Sequence, residues 1–204
     1  TYGLDFDNVD DKLDIGTLSD ANKLIENNTP FTVSWWENVH SGSTGFPDRC
    51  ALQIASPSPT ANRKFSIVRN DNSSYATIAW GGSFTGPASL RASGAPTLTN
   101  GVGVWIHWTL SAFDGSVSTA ASYVLCADGT DYAVTSGGAY SSGNNDQNQW
   151  GDTNINAAGN CILDDMLIWK HRALNVSEIN ELHKLGRGGI YIPRWADTRA
   201  IMAL

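Results

Sequence analysis

Between Val102 and Leu110 the chain places an apolar side chain at every second position: Val102, Val104, Ile106, Trp108 and Leu110. A period of two fits a pleated strand and not a helix. The stretch therefore predicts a strand with this set buried and with Trp105 and His107 on its other face. PFTVSWWENV has the same pattern, with Phe31, Val33 and Trp35 on one side and Thr32, Ser34 and Trp36 on the other. Trp35 is thus expected in a core. Trp36 belongs to a polar face, which is either covered by other structure or left for a ligand. His107 has no second His or Cys at ligand spacing, so a structural role is expected for it.

Turn-forming clusters divide the rest of the chain into short pieces of similar type. Strands are expected near 2–7, 12–16, 50–56, 65–70 and 75–80, with an edge strand near 88–92. Pro57, Pro59 and the cluster Asn70–Ser74 mark breaks between them. Asp114–Gly115 and Asp128–Gly129 have the composition of tight hairpin turns, and the second ends SYVLCA and returns the chain near 131–135. Segment 19–28 has room for one helical turn.

Residues 136–160 form the longest polar stretch and are expected as a loop. Tyr140 and Trp150 stand there among Asn, Gln and Asp side chains. A flat ring flanked by amides suits a sugar, because the ring stacks on C–H faces while the amides bond to hydroxyls. A solvated loop with one anchoring tryptophan has the same composition.

CILDDMLIW, residues 161–169, is the last strand expected before a helix. Strict alternation groups Ile162, Asp164, Met166 and Ile168, and opposes them to Leu163, Asp165, Leu167 and Trp169. Each face is apolar and each carries one carboxylate, which is costly in a core unless paired. The helix that follows has Asn175 as N-cap, Glu178 as capping-box partner, and Leu174 stapled to Ile179. It is expected to cover one open end of the fold, with Gly186 closing it as an αL residue. Residues 1–186 form one domain in this reading, and 187–204 an arm that packs over it or onto a neighbouring subunit. Arg187, Tyr191, Arg194 and Trp195 are the arm's candidate assembly residues, with a homo-oligomer among the outcomes.

Composition narrows the function. At 204 residues and a net charge of −7, the chain lacks the basic footprint that nucleic-acid binding needs. Of 20 acidic residues 16 are Asp, a bias toward turns and hard-cation loops. No apolar run reaches the length of a membrane span. The cysteines Cys50, Cys126 and Cys161 cannot all pair in one chain, so they make either three buried thiols or one disulfide and one thiol. The absence of an initiator Met leads us to expect a chain that is processed or cut from something larger.

Three segments carry a family resemblance. LDFDNVDDKLDIG resembles the first hairpin of laminin G-like domains in the concanavalin A-like lectin/glucanase superfamily. Trp105-Ile106-His107, Asp114-Gly115, Tyr123 and Gly129 resemble its central hairpin, and ILDDMLIWKHRALNVSEINEL its closing strand and helix. The resemblance implies an all-β, two-sheet antiparallel jelly-roll sandwich with one short C-terminal helix. It also implies a structural calcium (Ca2+) site in some members, for which Asp164 with Asp7 or Asp11 are the matching positions. A carboxylate that accepts backbone N–H bonds is the competing role for Asp164. The Gly-Arg-Gly-Gly start of the arm resembles laminin G-like proteins encoded by bacteriophages, which implies a capsid decoration or fibre protein.

The same superfamily contains glucanases, whose retaining mechanism uses two carboxylates about 5 Å apart. The alternating Glu-Asp-Glu strand that supplies them is missing: Glu26 and Glu37 stand alone, and Glu178 and Glu181 fall in the expected helix. The expectation is a non-catalytic surface module of a virion or extracellular assembly. It would bind a glycan or cell-surface polysaccharide through rings such as Trp36, Trp105, Tyr140 or Trp150. The alternatives are a stand-alone carbohydrate-binding module of a secreted protein and a polysaccharide-degrading enzyme.

Overall fold

The computed structural model describes residues 3–7, 13–17, 29–40, 49–54, 65–69, 75–80, 89–93, 103–114, 120–136, 152–155, 160–187 and 200–203. Within them lie strands β1 (Leu4–Asp7), β2 (Leu13–Thr17), β3 (Phe31–Val39), β4 (Arg49–Ile54), β5 (Phe65–Arg69), β6 (Tyr75–Trp80) and β7 (Ser89–Ser93). Next come β8 (Trp105–Ala112), β9 (Tyr123–Ala127), β10 (Thr130–Ser136), β11 (Asp152–Ile155) and β12 (Asn160–Lys170). Helix α1 (Val176–Leu185) and β13 (Ala200–Ala203) follow.

Every pairing is antiparallel, in the order β1-β12-β3-β8-β9-β10-β7-β6-β5-β4-β11-β2, with β13 also on β12. Strand β10 joins the two layers. Its first half, Thr130–Ala133, pairs with β9, and its second half, Val134–Ser136, pairs with β7. The chain is the all-β jelly-roll sandwich expected, with one short helix among the described residues.

Three expectations about strand placement change. β1 and β2 do not form a hairpin: β1 pairs with β12, and β2 joins the other layer beside β11. The stretch expected as a loop contains β11, which lies between β4 and β2. Its four residues, DTNI, have too little apolar content to show a strand period. β7 lies between β6 and β10 and is not an edge.

The core-facing set of the first layer follows the alternation. Phe31, Val33, Trp35 and Val39 of β3 face inward with Ile106, Trp108 and Leu110 of β8, and all are at most 4% exposed. Trp35 and Trp108 are register partners with ring centroids 6.3 Å apart, and Phe31 meets Tyr123 edge-on at 6.5 Å. Each such side chain contributes roughly 1.5–3 kcal/mol by leaving water. The pattern stops short of Val104, which is 53% exposed. Gly103 turns there with φ of 71°, donates its N–H to the Val39 carbonyl, and β8 begins only at Trp105.

β12 breaks strict alternation. Its register with β3 runs Cys161↔Val39, Leu163↔Glu37 and Asp164↔Trp36, then resumes at Leu167↔Ser34 and Ile168↔Val33. Asp165 and Met166 together oppose Trp35, and Asp165 has φ of 47°. This is a β-bulge, and it shifts the phase by one. Cys161, Leu163, Met166 and Ile168 all reach the core. Asp164 therefore lies opposite Met166 and Ile168, on the outer face with Ile162, Trp36 and Leu167, which corrects the parity expectation.

The outer face of the first layer is the polar one, and α1 covers it. Leu174, Ile179 and Leu182 pack with Cys126 and Trp169, flanked by Val124 and Leu167. The helix thus lies on a sheet face and does not plug an open end. Its start is as expected: Asn175 Oδ1 accepts from the Glu178 N–H at 3.1 Å, and Glu178 Oε2 accepts from the Asn175 N–H at 2.9 Å. Its end differs, because Gly186 has φ of 71° with ψ of 171°, an extended left-handed geometry that glycine alone adopts readily.

Candidate functional site

The chemically distinctive residues gather on that outer face, where α1 meets β3, β8 and β12. Side chains of Thr32, Ser34, His107, Thr109 and Ser111 are all buried there. Buried polar groups need partners, and these supply them to one another. Thr32 Oγ1 donates to the Arg172 carbonyl at 3.1 Å, accepts from the Leu174 N–H at 2.9 Å, and lies 2.9 Å from Ser111 Oγ. One hydroxyl thus holds the chain that leads into α1.

A second network holds His107. Thr109 Oγ1 donates to Ser34 Oγ at 3.2 Å, and Ser34 Oγ lies 2.8 Å from His107 Nε2. The order in which Ser34 donates to Nε2 uses both hydroxyl protons and leaves the imidazole proton on Nδ1. Burial, and secondarily the neighbouring His183, lower the His107 pKa to about 3. The ring is therefore neutral near pH 7. Asp128 locks the same residue from the turn after β9, since its Oδ1 accepts the His107 N–H and its own N–H donates to the His107 carbonyl.

His107 also belongs to an aromatic cluster. Trp36 is its register partner with ring centroids 4.9 Å apart, and His183 of α1 lies over both, at 5.7 Å from Trp36 and 5.5 Å from His107. Gly129 makes room for this docking: a Cβ there would sit 3.0 Å from Asn180 Oδ1 and 3.4 Å from the His183 ring. One turn beyond, the Arg187 guanidinium stacks 3.9 Å from the centre of Trp105 and donates to Asp164 Oδ2 at 3.1 Å.

The Ser34–His107 contact has the atoms of a nucleophile–base pair. Both residues are at most 3% exposed beneath α1, so they serve packing and not a reaction with a substrate. Cys126 is equally shielded. Burial and its bond to Asp131 Oδ1 raise its thiol pKa, so it stays a thiol. Cys126 and Cys161 are both buried, and neither is in a disulfide.

Of the ring residues proposed from sequence, Trp36 and Trp105 each already carry a partner on the ring, His183 and Arg187 respectively. Tyr140 and Trp150 lie outside the described residues, as do Asp11 and the arm residues Tyr191, Arg194 and Trp195. Arg187 itself is tied to its own domain. Calcium does not fit Asp164 in this arrangement. One carboxylate oxygen meets the Arg187 cation and the other accepts the Asp165 N–H at 3.0 Å. Asp7 pairs with Asn160, four residues along β12 from Asp164 or roughly 13 Å at strand spacing. No group of three or more His, Cys, Asp or Glu suited to a metal occurs among the described residues.

The roles of His183, Asp128 and Arg187 carry no local mark in the sequence. Parity put Trp36 and His107 each on a polar face, but the register that joins them is a long-range pairing. His183, as a polar residue in an amphipathic helix, gave no sign of stacking.

The solved structures that the chain matches are similar in architecture. The carbohydrate-binding module CBM40 of a Ruminococcus gnavus sialidase, bound to α2,3-sialyllactose, aligns with TM-score 0.57 and 12% identity over 90% of this chain and 97% of its own. The same module bound to α2,6-sialyllactose aligns with TM-score 0.58. The chain shares the fold of a carbohydrate-binding module. A structure described as a receptor binding domain aligns with TM-score 0.50 and 13% identity, over 76% of this chain and 35% of that one. The chain spans 23% of the length of Trypanosoma rangeli sialidase, which it matches with TM-score 0.49. No protein-family model matches the sequence, and no curated protein sequence matches it.

Proposed function

We propose that this chain is a non-catalytic glycan-binding module of the laminin G-like type, carried on a virion surface or another extracellular assembly. The observation behind the reading is the end-to-end correspondence with a module solved with sialyllactose, over 90% of this chain and 97% of that module. A match of that extent, between one sandwich and one whole binding domain, favours a binding role over that of a fragment of a larger catalytic fold. Trp36 and Trp105 are engaged in packing, so Tyr140 and Trp150 are the rings assigned to sugar stacking.

A glycan array that includes both sialyllactose linkages tests this. Binding by the wild-type chain is expected, with a loss of about tenfold for Trp150→Ala or Tyr140→Ala, as removal of one stacking ring implies. No signal from the wild type, with or without calcium, removes the glycan reading. In the same proposal the segment after Arg187 fastens the module to its assembly. Deleting 188–204 is expected to spare sugar binding and to reduce retention on the particle.

A further inference from the structure

The outer face of the first layer continues past the end of α1. Beyond the row of His107, Trp36 and Asp164 it carries Trp105, Asn38 and Ile162, all half-buried. Trp105 is on β8 and Asp164 on β12, with β3 between them. Arg187 touches both, so its guanidinium lies across β3 near the level of Asn38, the register partner of Trp105.

Two contacts fix this cation, and neither exhausts its donors. Stacking on Trp105 uses the guanidinium face and no N–H. The bond to Asp164 Oδ2 uses one N–H of five. No other hydrogen bond of this guanidinium occurs among the described residues, and the side chain is 24% exposed. A planar fork of unused donors is thus held in one place with access to solvent. Such a fork matches the two oxygens of a carboxylate, and bonds between them are charge-assisted. The Asn38 side-chain amide likewise has no hydrogen bond among the described residues, and it offers a donor and an acceptor suited to a hydroxyl. Asp164 shares the cation, which weakens its pull on an anion without satisfying the remaining donors. Asp5, the outer-face carboxylate of β1 beside Ile162, bonds to His40 at 2.7 Å.

We propose that Arg187 binds the carboxylate of an acidic saccharide, with Asn38 on a neighbouring hydroxyl. The proposal rests on the glycan reading and narrows it to sugars that carry a carboxylate. Trp105 and Asp164 are positioning residues, which hold the guanidinium so that its free edge faces outward.

Calorimetric titration of the full chain tests this with sialyllactose, its carboxyl methyl ester and lactose. A glucuronate-terminated disaccharide and its methyl ester separate the two sources of a sugar carboxylate. The wild type is expected to bind at least one acid about tenfold more tightly than the matching ester. Arg187→Gln should bring acid and ester to the same affinity, with the ester within about twofold of its wild-type value. Asp164→Asn breaks the same ion pair but keeps the cation, and should bind the acid at least as tightly as the wild type. Added salt should narrow the wild-type preference.

No binding of any probe removes the glycan reading and this inference with it. Binding of lactose alone, or of acid and ester alike, overturns the inference and spares the reading. A preference that Arg187→Gln retains places the carboxylate elsewhere, and one that Asp164→Asn loses equally belongs to the ion pair; either result overturns the proposal. Should Arg187→Gln lose the ester as well, the wild type decides, because a preference that salt leaves unchanged also overturns it.

Discussion

Arg187 donates to Asp164 across 3.1 Å, with the Arg side chain 24% and the Asp side chain 10% exposed. The contact links the residue just past α1 to the bulge of β12. Its consequence is asymmetric. Removing the cation leaves a largely buried carboxylate with only the Asp165 N–H from its described bonds, whereas removing the charge of Asp164 leaves an arginine that still stacks on Trp105.

Arg187→Ala is therefore expected to lower stability by about 1–3 kcal/mol, and Asp164→Asn by less. The double variant should recover part of the loss of the first. Urea denaturation midpoints of the three variants measure this. Millimolar calcium should leave the midpoint difference between the wild type and Asp164→Asn unchanged, because a guanidinium occupies the place a cation would take at Asp164. A calcium-dependent rise in stability that Asp164→Asn abolishes would return Asp164 to the role of a ligand.

His107 gives the fold a pH dependence. Its pKa in the folded chain is lowered by burial to about 3 from the ordinary imidazole value of 6.5, so below pH 6.5 the unfolded chain holds a proton that the folded one does not. Stability from this group is complete above about pH 7 and is lost as pH falls from 6.5 toward 3. The loss amounts to about 2 kcal/mol by pH 5. Denaturation at pH 7 and pH 5 reads it directly. His107→Asn should be less stable at pH 7 and should show a smaller drop between the two pH values; an unchanged drop would assign the effect to other groups.

Thr32 has a hydroxyl that no apolar isostere replaces. Thr32→Val keeps the shape but leaves the Leu174 N–H and the Arg172 carbonyl without their partner. The expected cost is about 1–3 kcal/mol, and the Leu174 amide should exchange with solvent faster than in the wild type. Thr32→Ser keeps the hydroxyl and should restore most of the protection.

These networks show what a sequence conveys and what it withholds. Local signals were legible: the alternation in β3 and β8, the Asp128–Gly129 turn, and the capping box at Asn175 all depend on residues close in the chain. Partners distant in sequence were not. LDFDNVDDKLDIG has the pattern of a hairpin, yet β1 and β2 enter different layers because their partners, β12 and β11, lie more than a hundred residues away. The glycan candidates show the same limit. Trp36 and Trp105 lie on the polar faces expected of them, but that α1 and Arg187 would cover those faces followed only from tertiary packing.

The bulge at Asp165 is the most consequential departure from local pattern, and it makes the sharpest prediction. Asp165 sits at φ of 47°, where an L-residue is strained by roughly 1–2 kcal/mol and Asp is better tolerated than most. Asp165→Gly should therefore match or exceed the wild type, while Asp165→Ile should cost about 1–2 kcal/mol. Deleting Asp165 is a different perturbation. Without the extra residue β12 would run in regular phase, and either Met166 and Ile168 or Cys161 and Leu163 would leave the core for the outer face. Met166 and Ile168 are 4% and 2% exposed, so their loss from the core should cost about 3 kcal/mol or more. Thermal unfolding of the three variants separates the effects. If the deletion variant keeps wild-type stability, the phase of β12 is not set by Asp165.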